Sequence, residues 1–147
     1  MEQNISFSCA ESCTGGLFAQ TMTEVSGISS VFDRGYVTYS NKAKMEELGV
    51  KAETLDKFGA VSEETAIEMA EGVRKATGSR LCVSVTGIAG PEGGTEEKPV
   101  GLVYICAILD DKRVSREFRI RNTSRKWNRN YTVLCMLDMI NKLIDEK

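Results

Sequence analysis

Histidine is absent from the 147 residues. That excludes Ser-His-Asp and Cys-His triads, His-ligated zinc and any histidine general base. A hydrolase built from this chain must move protons with Lys, Tyr, Asp, Glu or a terminal amine. Long apolar runs are missing too, so no segment suits a bilayer span. The opening Met1-Glu2-Gln3-Asn4 has neither a basic n-region nor an apolar h-region, and a secretory leader is not expected. Net charge is only −2, which gives no general pull toward nucleic acid or anionic membrane. The five cysteines, Cys9, Cys13, Cys82, Cys106 and Cys135, form no CxxC pair. Being odd in number and mostly in apolar stretches, they read as reduced cytosolic thiols, and a zinc site built from them is not expected. No metal and no cofactor is implied.

The rest of the chain has the composition of one ordinary α/β domain over residues 1–147. Ile5 to Ala10 predicts a strand, Leu17 to Val25 a helix, and Tyr36 to Tyr39 a second strand. Asn41 is expected to cap a helix running to Leu48 and stopping at Gly49. A short helix over Glu53–Phe58 follows. A longer one, capped by Ser62, carries Ala66, Ile67, Met69, Ala70 and Val73 on one face. Leu81 to Val85 is nearly all apolar, as suits a central strand covered on both faces. Val100 to Leu109 and Val114 to Arg121 predict two strands joined by a turn at Asp110–Arg113. Val133, Leu137, Ile140 and Ile144 repeat at helical spacing behind a cap at Ser124. This order implies a mixed sheet with helices on both faces.

Four segments carry possible chemistry. Glu11-Ser12-Cys13-Thr14-Gly15-Gly16 joins a strand to a helix. It reads either as a phosphate cradle or as a plain turn with Ser12 or Thr14 as N-cap. Thr86 to Thr95 is a Gly-rich loop at the C-terminal end of the central strand, where open α/β sheets bind ligands. It fits neither the Walker pattern nor GxGxxG. With Asn41 as N-cap, Lys44 falls at N3. There the helix dipole opposes its charge, and burial lowers its pKa further. The alternative is a solvated lysine on an exposed helix. Arg125 and Arg129, four apart on the last helix, share a face and suit either an anion or plain solvent.

As a set these residues resemble one family. "AESCTGG" at Ala10–Gly16, "GYVTYSNKAK" at Gly35–Lys44, "LGV" at Leu48–Val50, "GAVSEETA" at Gly59–Ala66 and "SVTGIAGPEGGTEEKPVG" at Ser84–Gly101 are similar, in the same order, to the CinA C-terminal domain. The resemblance implies a three-layer α/β/α sandwich with a mixed, mostly parallel sheet of about five strands. It also implies hydrolysis of nicotinamide mononucleotide to nicotinate mononucleotide and ammonia. The family's nucleophile, the last serine of a Gly-x-Ser segment after the first helix, falls on Ser29 in Gly27-Ile28-Ser29. Tyr39 and Lys44 match the family's partner tyrosine and lysine, and Thr86 and Arg125 match further active-site positions. Glu11, Ser12, Thr14, Gly15, Gly87 and Gly90 are expected at the substrate. Two departures stand out. Only four residues precede Ile5, where the family has another helix, and Thr123-Ser124-Arg125 replaces the family's Gly-Asp-Arg.

Residues and resemblance together give an expected mechanism. Neutral Lys44, directly or through Tyr39, takes the proton of Ser29, which attacks the carboxamide and forms an acyl-enzyme. An alternative with the same fold makes Ser12 or Cys13 the nucleophile. A rival of another class is an inactive nucleotide-sensing or competence-related interaction module. The expected setting is cytoplasmic, with a small-molecule nucleotide as partner and neither nucleic acid nor membrane. Apolar area left without the extra helix predicts a homo-oligomer, a dimer favoured.

Overall fold

The computed structural model describes residues 4–121 and 124–146. Thr123, part of the altered sequence before the last helix, lies outside them. The strands are β1 (Phe7–Glu11), β2 (Phe32–Val37), β3 (Leu81–Gly87), β4 (Leu102–Leu109) and β5 (Lys112–Arg119). The helices are α1 (Leu17–Thr23), α2 (Asn41–Leu48), α3 (Ala52–Phe58), α4 (Glu63–Thr77) and α5 (Arg125–Asp145).

One mixed sheet runs in the order β2-β1-β3-β4-β5. β2, β1 and β3 pair in parallel, and β4 pairs antiparallel to both β3 and β5. Four of the five strands therefore point the same way. The central strands are apolar at successive positions because both their faces are covered. Cys9, Val83, Val85, Ile105 and Ala107 face a layer formed by Phe18 of α1 and by Val133, Met136, Met139, Ile140 and Leu143 of α5. Their alternates Ala10, Cys82, Cys106 and Ile108 face Leu48 of α2, Leu55 of α3 and Ala66, Met69, Ala70 and Val73 of α4. This is the α/β/α sandwich that the resemblance implies.

Several bounds move: α1 stops at Thr23 rather than Val25, β2 at Val37 rather than Tyr39, β4 begins at Leu102 rather than Val100, and β5 runs two residues earlier than expected, over Lys112–Arg119. β2 begins four residues earlier than the expected Tyr36, because its pairing with β1 starts at Phe7–Phe32, whose rings stack at 4.6 Å. Polar Asp33 and Arg34 hid that start, yet they sit on an edge strand, where exposed charges are tolerated. Ser40, not Asn41, caps α2: its side chain accepts from Ala43 N. Lys44 is then N4 rather than N3, turned inward instead of resting on the first exposed turn.

α4 crosses α2 at Gly72. A Cβ there would overlap the Leu48 carbonyl oxygen and lie 2.8 Å from its carbon. Gly72→Ala is expected to cost about 2 kcal/mol of stability, as overpacking between two backbones does, and urea unfolding measures it. A loss within about 0.5 kcal/mol would mean that the helices separate freely.

The topology also places a site. The link from β1 to β2 runs through α1 on one face; the link from β2 to β3 runs through α2, α3 and α4 on the other. The chain leaves β1 toward β2 on one side and leaves β3 toward β4 on the other, so a crevice opens beyond the C-terminal ends of β1 and β3. That switch point is where open α/β sheets hold ligands.

Candidate active site

Ser12 follows the last residue of β1, and Thr86 is the penultimate residue of β3. The strands are in register, Glu11 opposite Val85. Ser12 N donates to Val85 O at 3.2 Å, which holds Ser12 against the end of β3. A cavity of about 260 Å³ opens here. Ser12, Tyr39, Lys44, Thr86, Gly90 and Arg125 are among its lining residues.

Lys44 reaches this cavity from α2 and is only 1 % exposed. Its Nζ donates to Ser12 Oγ at 3.0 Å, to Thr38 O at 2.7 Å and to Tyr39 O at 3.4 Å. Among the described residues no carboxylate bonds to it. Burial therefore lowers its pKa from the ordinary lysine value, since desolvation penalises the ammonium. An ammonium can donate to all three partners, and a neutral amine fits them equally once the Ser12 hydroxyl turns to donate. The neutral amine has two N–H groups for the two carbonyls and one lone pair for the Ser12 hydroxyl.

Cys13 also lines the cavity, but burial pushes its thiol up to about 12. A thiol held there is not a thiolate nucleophile at neutral pH.

The remaining wall comes from α5 and the loop after β3. Arg125 donates through Nη2 to Tyr39 Oη at 2.6 Å and through Nη1 to Gly90 O at 2.9 Å. Asn128 Nδ2 donates to Ala89 O at 2.8 Å. Thr86 Oγ1 donates to Ala60 O at 2.8 Å, tying β3 to the segment before α4. Tyr39 itself is 57 % exposed at the rim.

Ser29 does not join this group. It is exposed, in a 3-10 turn at Ile28–Ser30 just before β2. The β1–β2 register puts that turn beside Phe7, at the opposite edge of the sheet. The run from Phe7 to Ser12 is about 16 Å of extended chain at ~3.3 Å per residue. Ser29 therefore lies out of reach of Lys44, whose serine neighbour is Ser12.

Glu11 and Thr14 also have other work. The Glu11 carboxylate is buried and accepts from Thr14 Oγ1 at 2.6 Å, Phe18 N at 2.8 Å and Ala19 N at 3.1 Å. Gly16, the N-cap of α1, has no side chain to offer, so Glu11 caps the helix from the strand. An internal carboxylate thus fills the place a bound phosphate would take, and the phosphate-cradle reading of this turn falls. Gly15 and Gly16 adopt φ of 58° and 103°, which lets the chain reverse from β1 into α1. Glu11→Ala would strand one buried and one part-buried N–H group and is expected to cost about 3 kcal/mol. An unchanged urea midpoint would show the cap to be idle.

Among the described residues, no group of three His, Cys, Asp or Glu side chains is placed to hold a metal ion. No described helix is long and apolar enough to cross a membrane.

Fold and site together define an α/β/α domain of switch-point type, with its polar groups gathered at one sheet edge. The family model of the CinA C-terminal domain matches residues 1–144. A protein of Acetivibrio thermocellus, provisionally named competence-damage inducible protein, is 54 % identical over 144 residues, 98 % of this chain and 35 % of that protein. A CinA-like protein of Kosmotoga olearia is 49 % identical over 140 residues, 95 % of this chain and 34 % of its own length. The solved structure of competence/damage inducible protein CihA from Agrobacterium tumefaciens superposes with a TM-score of 0.93 at 47 % identity, covering 95 % of this chain and 86 % of that one. This chain belongs to the CinA C-terminal domain family. It spans about a third of the length of those curated relatives.

Proposed function

We propose that this domain is an amidohydrolase that converts nicotinamide mononucleotide to nicotinate mononucleotide and ammonia, with Ser12 as nucleophile and Lys44 as general base. One observation carries the chemistry: a buried lysine, with no carboxylate partner among the described residues, holds a serine hydroxyl at 3.0 Å. The substrate assignment rests on the family resemblance. The names of the relatives speak of competence and damage induction, not of an amide.

In this reading neutral Lys44 accepts the Ser12 proton as Oγ attacks the carboxamide carbon. The oxyanion needs donors beside Ser12. The Thr14 N–H has no acceptor among the described residues, the Cys13 N–H lies against its own thiol, and Ser12 N and Gly15 N are bonded to Val85 O and Ser12 O. Protonated Lys44, held by the Thr38 and Tyr39 carbonyls, returns the proton to the leaving ammonia. Water then enters, Lys44 takes its proton, and the acyl-serine is hydrolysed. Arg125, at the rim with Tyr39, is placed to meet the nucleotide phosphate.

Incubation with nicotinamide mononucleotide and measurement of ammonia tests the reading. Stoichiometric nucleotide binding without ammonia release would favour an inactive sensing module instead.

A further inference from the structure

Arg129 lies one turn beyond Arg125 on α5 and does not line the cavity. Its Nε donates to Cys13 O at 3.3 Å and its Nη2 to Thr14 O at 2.7 Å. One planar guanidinium thus grips two successive carbonyls of the turn after Ser12, a span its rigid fork suits. Its bonds go to this protein's own backbone, so the anion-holding reading of Arg129 from the sequence does not describe it.

The grip has a geometric consequence. In a trans peptide, the C=O and the next N–H point in opposite directions. Cys13 O is drawn toward α5, so the Thr14 N–H of the same peptide points the other way. Thr14 O is drawn the same way, and the Gly15 N–H closes the turn on Ser12 O at 3.0 Å. A peptide flip would bring a carbonyl, not a donor, beside the Ser12 oxyanion. Arg129 resists that flip at two consecutive peptides, and its charge further polarises the Cys13–Thr14 peptide.

We propose that Arg129 is a positioning residue for the oxyanion-binding peptide of Ser12. The proposal rests on Ser12 being the nucleophile. Loss of the grip then lowers turnover without weakening substrate binding, because the oxyanion exists only after attack.

The test compares the wild-type chain, Arg129→Ala, Arg129→Lys and Ser12→Ala in ammonia release from nicotinamide mononucleotide, with thermal melting alongside. Arg129→Ala should lose ~100-fold in kcat, the scale of one misplaced oxyanion donor, with KM unchanged within about threefold. Arg129→Lys keeps the charge but cannot span both carbonyls, and should stay well below wild type. Millimolar guanidinium should restore part of the Arg129→Ala turnover and none of that of Ser12→Ala. The proposal is overturned if Arg129→Ala keeps near-normal kcat, if its loss lies in KM, or if guanidinium restores nothing.

A fluorophosphonate separates this failure from that of the underlying reading. Ser12 Oγ attacks its phosphorus, fluoride leaves, and Lys44 takes the serine proton. Wild type inert to the nucleotide but labelled at Ser12 would sink only the substrate, and a ~100-fold slower labelling of Arg129→Ala would still support the positioning role. Equal labelling rates would overturn it. Turnover retained by Ser12→Ala, or no labelling together with no turnover, would remove both.

Discussion

Ser12→Ala is expected to release no ammonia from nicotinamide mononucleotide, a loss of at least about 10⁴-fold, while Ser29→Ala works within about twofold of wild type. Removing an acyl-forming nucleophile takes away the covalent route and leaves only binding and oxyanion stabilisation. Both substitutions should fold. Among the described residues Ser12 Oγ bonds to Lys44 Nζ alone, and Ser29 is exposed in its turn. Ammonia assay and circular dichroism on the two proteins decide the matter. The reverse pattern, an inactive Ser29→Ala beside an active Ser12→Ala, would require that the two ends of β1 exchange roles and would discard the Ser12–Lys44 pair.

Lys44 gives the second large effect and ties activity to pH. Its pKa is lowered by burial, and only the unprotonated amine accepts the Ser12 proton. Turnover should therefore rise with pH along a single limb and level off below the ordinary lysine range, near 10.4. Lys44→Met should abolish it at every pH. The linked effect on stability has a definite sign. Between the lowered native pKa and the unfolded one, the unfolded chain binds more protons, so stability rises with pH through that window. Below the native pKa the buried ammonium costs the fold its full penalty. The melting temperature of Lys44→Met relative to wild type should thus be more favourable at low pH than at high pH. A pH-independent difference would mean that Lys44 titrates alike in both states. An acid limb at the ordinary lysine value would mean the same for the active form.

Much of this was legible in the sequence, for physical reasons. The continuous apolar run of β3 announced a strand covered on both faces, and Cys82 and Val83 do face opposite helical layers. The missing histidine directed attention to a lysine base, and Lys44 is buried against a serine hydroxyl. The choice of serine was not legible. Ser12 follows β1 and Ser29 precedes β2, both in small-residue turns, and only the parallel pairing of those neighbouring strands sets the two serines at opposite ends. Strand order comes from long-range pairing, which no local pattern records. One signal was available: Ser12 stands immediately after a strand at its C-terminal end, the edge that holds ligands in such sheets. The role of Glu11 was hidden differently. A carboxylate before a Gly-Gly turn looks free until α1 is seen to lack a capping side chain of its own.

The parts of the site come from distant stretches of chain. Lys44 is 32 residues from Ser12, and Arg129 is 116 residues from Cys13. By contrast, β4 and β5 join through Asp110 and Asp111 alone. Local hairpins close quickly, while contacts between remote segments wait on the loss of chain entropy. The hairpin is thus a feature a folding chain gains early, and the Ser12 turn gripped from α5 is one it completes late. Catalytic competence in this domain would then lag behind the appearance of its sheet, so regained turnover after dilution from denaturant would report closure of the whole chain rather than of any one part.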